Sequence, residues 1–218
     1  MDRRERLRRA RLYFVTDIRP GLEQLLAAAI AGGVDMLQLR DKSATDPELL
    51  AAAEVFRRVC DAGGALFWLN DRVDLAPHCG ADGVHVGQDD MSPATVKRLL
   101  PPECLVGLST HSPTQLEAAL ASSQADELSV GPVWQTPTKE GRPPAGLDYV
   151  RHAASHAGDR PWFAIGGIDL GNVREVIDAG ASRIVVVRAI RDAPDPRAAA
   201  KALRAALDEA SGGAEGQP

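Results

Sequence analysis

The chain has 218 residues, 44% hydrophobic and 25% charged, with Lys+Arg 25 against Asp+Glu 30 and a formal net charge of -5. This is the composition of an ordinary globular protein, and its negative balance excludes a general positive field for gathering nucleic acid or anionic lipid. No apolar run reaches the roughly 18 residues of a membrane span, and the arginine-rich start has no apolar stretch behind it, so neither membrane insertion nor export is expected. Residues 1–11 form a basic segment, read as a solvated helix or a frayed terminus. Beyond it, short β-rich runs at 12–15, 36–39, 66–69, 83–86, 105–108, 127–130, 162–165 and 184–187 alternate with longer Ala/Leu-rich stretches of helical spacing. Asp46-Pro47, Ser92-Pro93 and Ser112-Pro113 each pair a capping side chain with a proline, which predicts three helix starts. Glycines at 32–33, 63–64, 80 and 180 predict helix stops. Cys60, Cys79 and Cys104 are odd in number and lack Cys-x-x-Cys spacing, which fits buried thiols in a reducing cytoplasm. The polar, glycine-rich residues 211–218 are expected to be a disordered tail.

Gly33-Val34-Asp35, Gly80-Ala81-Asp82, Gln124-Ala125-Asp126 and Gly180-Ala181-Ser182 recur at roughly 45 to 55 residue intervals, each just before an even-numbered strand. Four βαβα units make a parallel eight-strand ring, so residues 12–210 are expected to form a single (β/α)₈ TIM barrel. An open doubly wound sheet is disfavoured because no Gly-x-Gly-x-x-Gly turn follows the first strand.

In such a barrel the chemistry lies where the strands end, and those ends are polar here. Strand 2 ends Gln38-Leu39-Arg40-Asp41-Lys42, and the pleat places Gln38 and Arg40 on one side with Leu39 on the other. Strand 3 delivers Asn70-Asp71, and strand 4 delivers His85, Gln88, Asp89 and Asp90. Carboxylates at adjacent strand tips can share a cation, and Mg²⁺ suits one or two carboxylates completed by water and phosphate oxygens. The alternative is that Asp71 and Asp90 cap the following helices. His85 reads as a hydrogen-bonded interior histidine rather than a metal ligand. Strand 5 ends Ser109-Thr110-His111, and a long loop at 131–146 carries Thr136, Pro137, Thr138 and Lys139. Its length argues for a binding or lid function. Gly166-Gly167 after strand 7 and Arg188 after strand 8 occupy the usual phosphate cup of the fold.

Together, Gln38-Leu39-Arg40-Asp41-Lys42, Asn70-Asp71-Arg72-Val73-Asp74, Gly83-Val84-His85-Val86-Gly87-Gln88-Asp89-Asp90, the Thr136-Pro137-Thr138-Lys139 segment and Ile165-Gly166-Gly167-Ile168 resemble the thiamine-phosphate synthase family. The resemblance implies an often dimeric barrel that joins a pyrimidine diphosphate to a (carboxy)thiazole phosphate and releases pyrophosphate. It further implies that Gln38, Leu39, Arg40, Asp41, Lys42, Asn70, Ser109 and Lys139 bind the pyrimidine diphosphate, with Arg40, Ser109 and Lys139 serving the reaction. Asp71 and Asp90 would hold Mg²⁺, and Thr136, Pro137, Thr138, Gly167, Val187 and Arg188 would receive the thiazole phosphate. Arg188 stands where the family commonly has serine, and Pro137 where it commonly has an acidic residue. Two other readings are a thiazole tautomerase of the same family, using His111 for proton transfer, and a non-catalytic barrel that binds phosphate ligands.

Overall fold

Successive side chains of a strand face opposite sides, and in this chain both sides of every strand are buried. The computed structural model describes residues 1–136 and 143–212. Strands β1 (Leu12–Thr16), β2 (Met36–Leu39), β3 (Leu66–Asn70), β4 (Gly83–Val86), β5 (Leu105–Thr110), β6 (Glu127–Val130), β7 (Trp162–Ile165) and β8 (Ile184–Val186) pair in parallel, each with the next. The ring closes where β1 meets β8, with Leu12 opposite Ile184 and Phe14 opposite Val186. This closure excludes the open sheet, and the predicted (β/α)₈ barrel stands. Among the described residues no helix is long and apolar enough to cross a membrane.

Two apolar layers follow from the pleat. Leu12, Phe14, Leu37, Leu39, Phe67 and Leu69 face outward into a cluster shared with the helices. Tyr13, Met36, Leu66, Trp68, Leu105 and Phe163 fill the barrel interior. Tyr13 organises that interior, its ring lying 5.7 Å from Phe163 edge-on and 6.1 Å from Trp68.

The basic segment is a helix, as one of the two readings had it, but it is docked rather than solvated or frayed. It forms helix α1 (Arg3–Arg9), capped by the Asp2 carboxylate, which accepts from the Glu5 N–H. Leu7 and Ala10 join the interior cluster and stopper the barrel at the N-terminal ends of the strands. The arginines around Leu7 act as guy-lines: Arg3 reaches Asp82 at 2.7 Å, Arg4 the Pro102 carbonyl at 3.2 Å and Arg6 the Gly64 carbonyl at 2.9 Å. Arg183 donates in return to the Arg8 and Ala10 carbonyls.

The recurrent aspartate has a physical role at the same end. Asp35 accepts from the backbone N–H groups of Arg11 and Leu12, Asp82 from Phe67, and Asp126 from Val106. Each acid stands before an even-numbered strand and ties down the start of the preceding odd one. Arginine and lysine neutralise them, as in Arg204 with Asp35 at 2.9 Å and Arg57 with Asp82 at 2.9 Å. Burial opposes the Asp82 charge, but the Phe67 N–H and the Arg57 and Arg3 guanidinium groups outweigh it, and the carboxyl lies below its ordinary value. A lowered carboxyl pKa stabilises the fold above the unfolded value of about 3.9, and that contribution disappears as pH falls through the folded value. Asp82→Asn should therefore lower the melting temperature at pH 7, with the gap to the parent narrowing below about pH 4. An equal gap at pH 7 and pH 3 in thermal melts would contradict this role.

The helix starts are close to expectation, with one shift. Ser92 caps α5 (Pro93–Leu99) and Ser112 caps α6 (Pro113–Ser122), each with proline as the first helical residue. In α3 (Asp46–Gly63) the cap is Thr45 rather than Asp46, because Thr45 and Glu48 form a reciprocal capping box. Asp46 instead receives Arg72 at 2.6 Å. Gly64 and Gly80 end their helices with left-handed φ of 73° and 61°, a conformation glycine adopts without penalty. Helix α10 (Pro196–Gly212) extends past residue 210, where the tail was expected to begin, and residues 213–218 lie outside the described residues.

Candidate active site

The C-terminal ends of the strands open onto a cavity of about 290 Å³. Strand side chains form its depth: Tyr13, Gln38, His85, Ser109 and Ser129. Asn70 borders it from the end of β3, Arg40 and Thr136 from the following loops, and Gly166, Gly167, Val187 and Arg188 complete the far wall. Gln38 and Arg40 thus share the cavity side, as the pleat requires, while Leu39 is buried in the outer layer. Any Leu39 contact with a ligand would have to come from its backbone. The Gln38 amide donates to the Tyr13 hydroxyl, which fixes the amide in the interior.

Arg40 and Arg188 border the cavity without a carboxylate partner among the described residues. Most other arginines are committed elsewhere, as in Arg72 with Asp46 and Asp74, and Arg191 with Asp17 and Asp192. Two uncommitted guanidinium groups at one opening make it a site for anions. Lys42, by contrast, pairs with Asp71 at 3.2 Å.

Asp41 faces its own loop. Its carboxylate accepts from the Ser43 hydroxyl, the Ser43 and Ala44 N–H groups and the Ile18 N–H. The Ser43 bond leads the causes that hold its carboxyl below the ordinary value. Asp41 therefore shapes the loop that presents Arg40.

Asp71 and Asp90 stand at the tips of neighbouring strands, and neither is part of the cavity wall. Asp71 has a left-handed φ of 60°, and its N–H donates to the His85 carbonyl, tying the tip of β3 to β4. Asp90 accepts from the Gly87 N–H at 2.8 Å and so closes its own turn. Neither caps a helix, since Ser92 caps α5 and the short α4 (Ala76–Cys79) has no side-chain cap. Among the described residues no group of three or more His, Cys, Asp or Glu could hold a metal by itself. Carboxylates are the ligand type of a hard cation that takes its other oxygens from water and phosphate, and one of these two already faces the Lys42 ammonium.

Ser109 lies deep in the cavity, and its carbonyl accepts from the Gln88 amide at 2.7 Å. The turn after β7 is built for close approach. A Cβ on Gly166 would lie 2.5 Å from Pro132 Cβ, and Gly166 and Gly167 have φ of 107° and 72°. Their proximity lets Val133 and Trp134 donate to the Ile165 and Gly166 carbonyls, so the loops after β6 and β7 form one wall. Thr136 borders the cavity, whereas Pro137, Thr138 and Lys139 lie outside the described residues. Residues given no role from the sequence also line the site: Tyr13, Ser129, Ile165 and Asp169. Inward parity marks Tyr13 and Ser129, but only once the strand frame is known.

The family model described as Thiamine monophosphate synthase matches residues 12–190, which includes every one of these positions. The chain belongs to the thiamine monophosphate synthase family. A Thermus thermophilus protein named thiamine-phosphate synthase is 54% identical over 202 residues, covering 90% of this chain and 97% of that one. An Acidothermus cellulolyticus protein of the same name is 49% identical over 205 residues, covering 93% and 97%. A solved thiamine phosphate pyrophosphorylase from Pyrococcus furiosus superposes with TM-score 0.84 at 32% identity, covering 95% of this chain and 98% of its own. Likeness in fold alone extends to a 3-hexulose-6-phosphate synthase, with TM-score 0.65 at 22% identity. Within the thiamine monophosphate synthase family, then, this chain couples a common barrel to a cavity with two uncommitted arginines.

Proposed function

We propose that the protein is a thiamine-phosphate synthase, joining an aminopyrimidine methyl diphosphate to a thiazole phosphate with release of pyrophosphate. Family membership supports the overall reaction, and the observation that carries the site assignment is the convergence of Gln38, Arg40, Asn70 and Gly167 on one cavity. The C–O bond to pyrophosphate ionises where fixed positive groups meet the departing charge. Arg40 supplies one such group at the cavity edge, and in this reading Lys139 is the second. Gln38, Asn70 and Ser109 orient the pyrimidine, whose electron-rich ring delocalises the methylene cation until the thiazole nitrogen captures it. Thr136, Gly167, Val187 and Arg188 receive the thiazole phosphate, which sets that nitrogen against the cation and leaves little room for competing water. Asp71 and Asp90 would hold Mg²⁺, which when bound neutralises negative charge on the diphosphate.

The test supplies both substrates with Mg²⁺ and measures pyrophosphate. The expected result is one pyrophosphate per thiamine phosphate, lost on chelation and restored by Mg²⁺. Binding of both ligands without pyrophosphate would reject the synthase in favour of a phosphate-ligand barrel. A tautomerase would turn over thiazole phosphate alone. Against that second activity, His111 does not border the cavity, and its Nδ1 lies 2.6 Å from the Gly131 carbonyl.

A further inference from the structure

Glu127 opens β6 and has 0% exposure, yet the mechanism above makes no use of it. Strand parity sends Glu127 and Ser129 into the barrel. Its Oε2 lies 2.9 Å from His85 Nδ1, and its Oε1 accepts from the Ser129 hydroxyl at 2.9 Å. On the other edge of the imidazole, His85 Nε2 lies 3.0 Å from Ser109 Oγ. The neighbouring β5 residue is Gly107, where a Cβ would overlap both the Glu127 carboxylate and His85 Nδ1. The barrel therefore leaves a side-chain-sized space for this pair.

A carboxylate taken out of water is costly unless every oxygen is met, and Glu127 has no arginine or lysine partner among the described residues. What it does have is a hydrogen-bonded row ending at the cavity, which His85, Ser109 and Ser129 all border. The donors can be assigned so that each is used once. The Ser109 O–H donates to His85 Nε2, His85 Nδ1–H donates to Glu127, and the Ser129 O–H donates to Glu127. This assignment makes each carboxylate oxygen an acceptor, Oε2 from His85 and Oε1 from Ser129.

We propose that Glu127 is a positioning residue: it holds His85 as the Nδ1-protonated tautomer, so that Nε2 takes the Ser109 hydrogen and the serine oxygen meets the ligand as an acceptor. The ligand chemistry that fits is a ring-bound amino group. Resting on the synthase reading, that group is the amine of the pyrimidine, whose N–H becomes a better donor as positive charge builds on the ring. The bond to Ser109 then tightens in the transition state more than in the ground state.

The test combines tautomer and kinetics. In protein labelled with ¹⁵N-histidine, with His85 resonances identified by their loss in His85→Gln, long-range ¹H–¹⁵N spectra should show a neutral, Nδ1-protonated ring in the parent. Glu127→Gln and Glu127→Leu should shift it toward Nε2 protonation. A parent His85 that is Nε2-protonated or doubly protonated overturns the proposal whether or not the enzyme turns over. In kinetics, Glu127→Gln should lower kcat/KM for the pyrimidine diphosphate about 10–100-fold, the scale set by removing the partner that orients a metal-bound histidine, with KM for the thiazole phosphate unchanged. In the His85→Gln background the same change should cost nothing further, and additive losses would overturn the proposal. Absence of pyrophosphate release by the parent would instead sink the synthase reading, leaving the spectra to decide on Glu127.

Discussion

Arg40→Ala should lower single-turnover pyrophosphate release by about 10²–10³, the scale seen when one preorganised donor to developing negative charge is removed. The melting temperature should hardly move. Arg40 extends past the end of β2, donates its backbone N–H to the Thr16 carbonyl, and leaves its guanidinium without an ion-pair partner among the described residues. Alanine keeps the backbone bond and removes only the group that faces the anion. Arg40→Lys should recover part of the rate, since it restores charge without the planar fork that can hold two phosphate oxygens. Near-normal turnover of Arg40→Ala, or a loss of rate matched by a loss of thermal stability, would reject the assigned role.

The largest effect on stability is expected at the opposite end. Leu7→Ala should cost about 2–5 kcal/mol, the range for emptying a well-packed leucine site. For a chain of this size that is a melting-temperature drop of roughly 4–20 °C. Leu7 is 2% exposed and packs with Met36, Leu66, Trp68 and Leu105, so its removal leaves a void under the barrel interior. Activity measured well below the transition should be preserved, because the cavity lies at the other ends of the same strands. A melting temperature unchanged by Leu7→Ala would mean that α1 is not a stopper.

Strand order and closure were legible in the sequence because buried strands write themselves locally, as in the Ile184-Val185-Val186 run. The triplets before the even-numbered strands, ending in Asp35, Asp82, Asp126 and Ser182, betrayed the fourfold unit, with aspartate in three of the four. The polar strand ends likewise exposed Gln38, Arg40, Asn70 and Gly167 as cavity residues. The docking of α1 was not legible: a single leucine among arginines carries no period, and the helix's anchors lie 79 residues away at Asp82 and 98 residues away at Pro102. The cap of α3 slipped by one residue because Thr45-x-x-Glu48 competes with Asp46, and only the Arg72 contact shows where Asp46 goes. Glu127 was hidden for a third reason. A charged residue at a strand's edge looks solvent-facing until its partner His85, 42 positions earlier, is brought beside it.

The aspartate ties and the α1 stopper all lie at one pole of the barrel, and the ligand-facing groups at the other. Because of this division, cohesion and specificity can be altered separately. Loops at the open pole, including the one that carries Thr136, can be exchanged or retuned for differently shaped ligands, while the Arg3–Asp82 and Arg204–Asp35 clasps keep the frame assembled. A variant library confined to the open pole would thus search new chemistry with few members lost to unfolding.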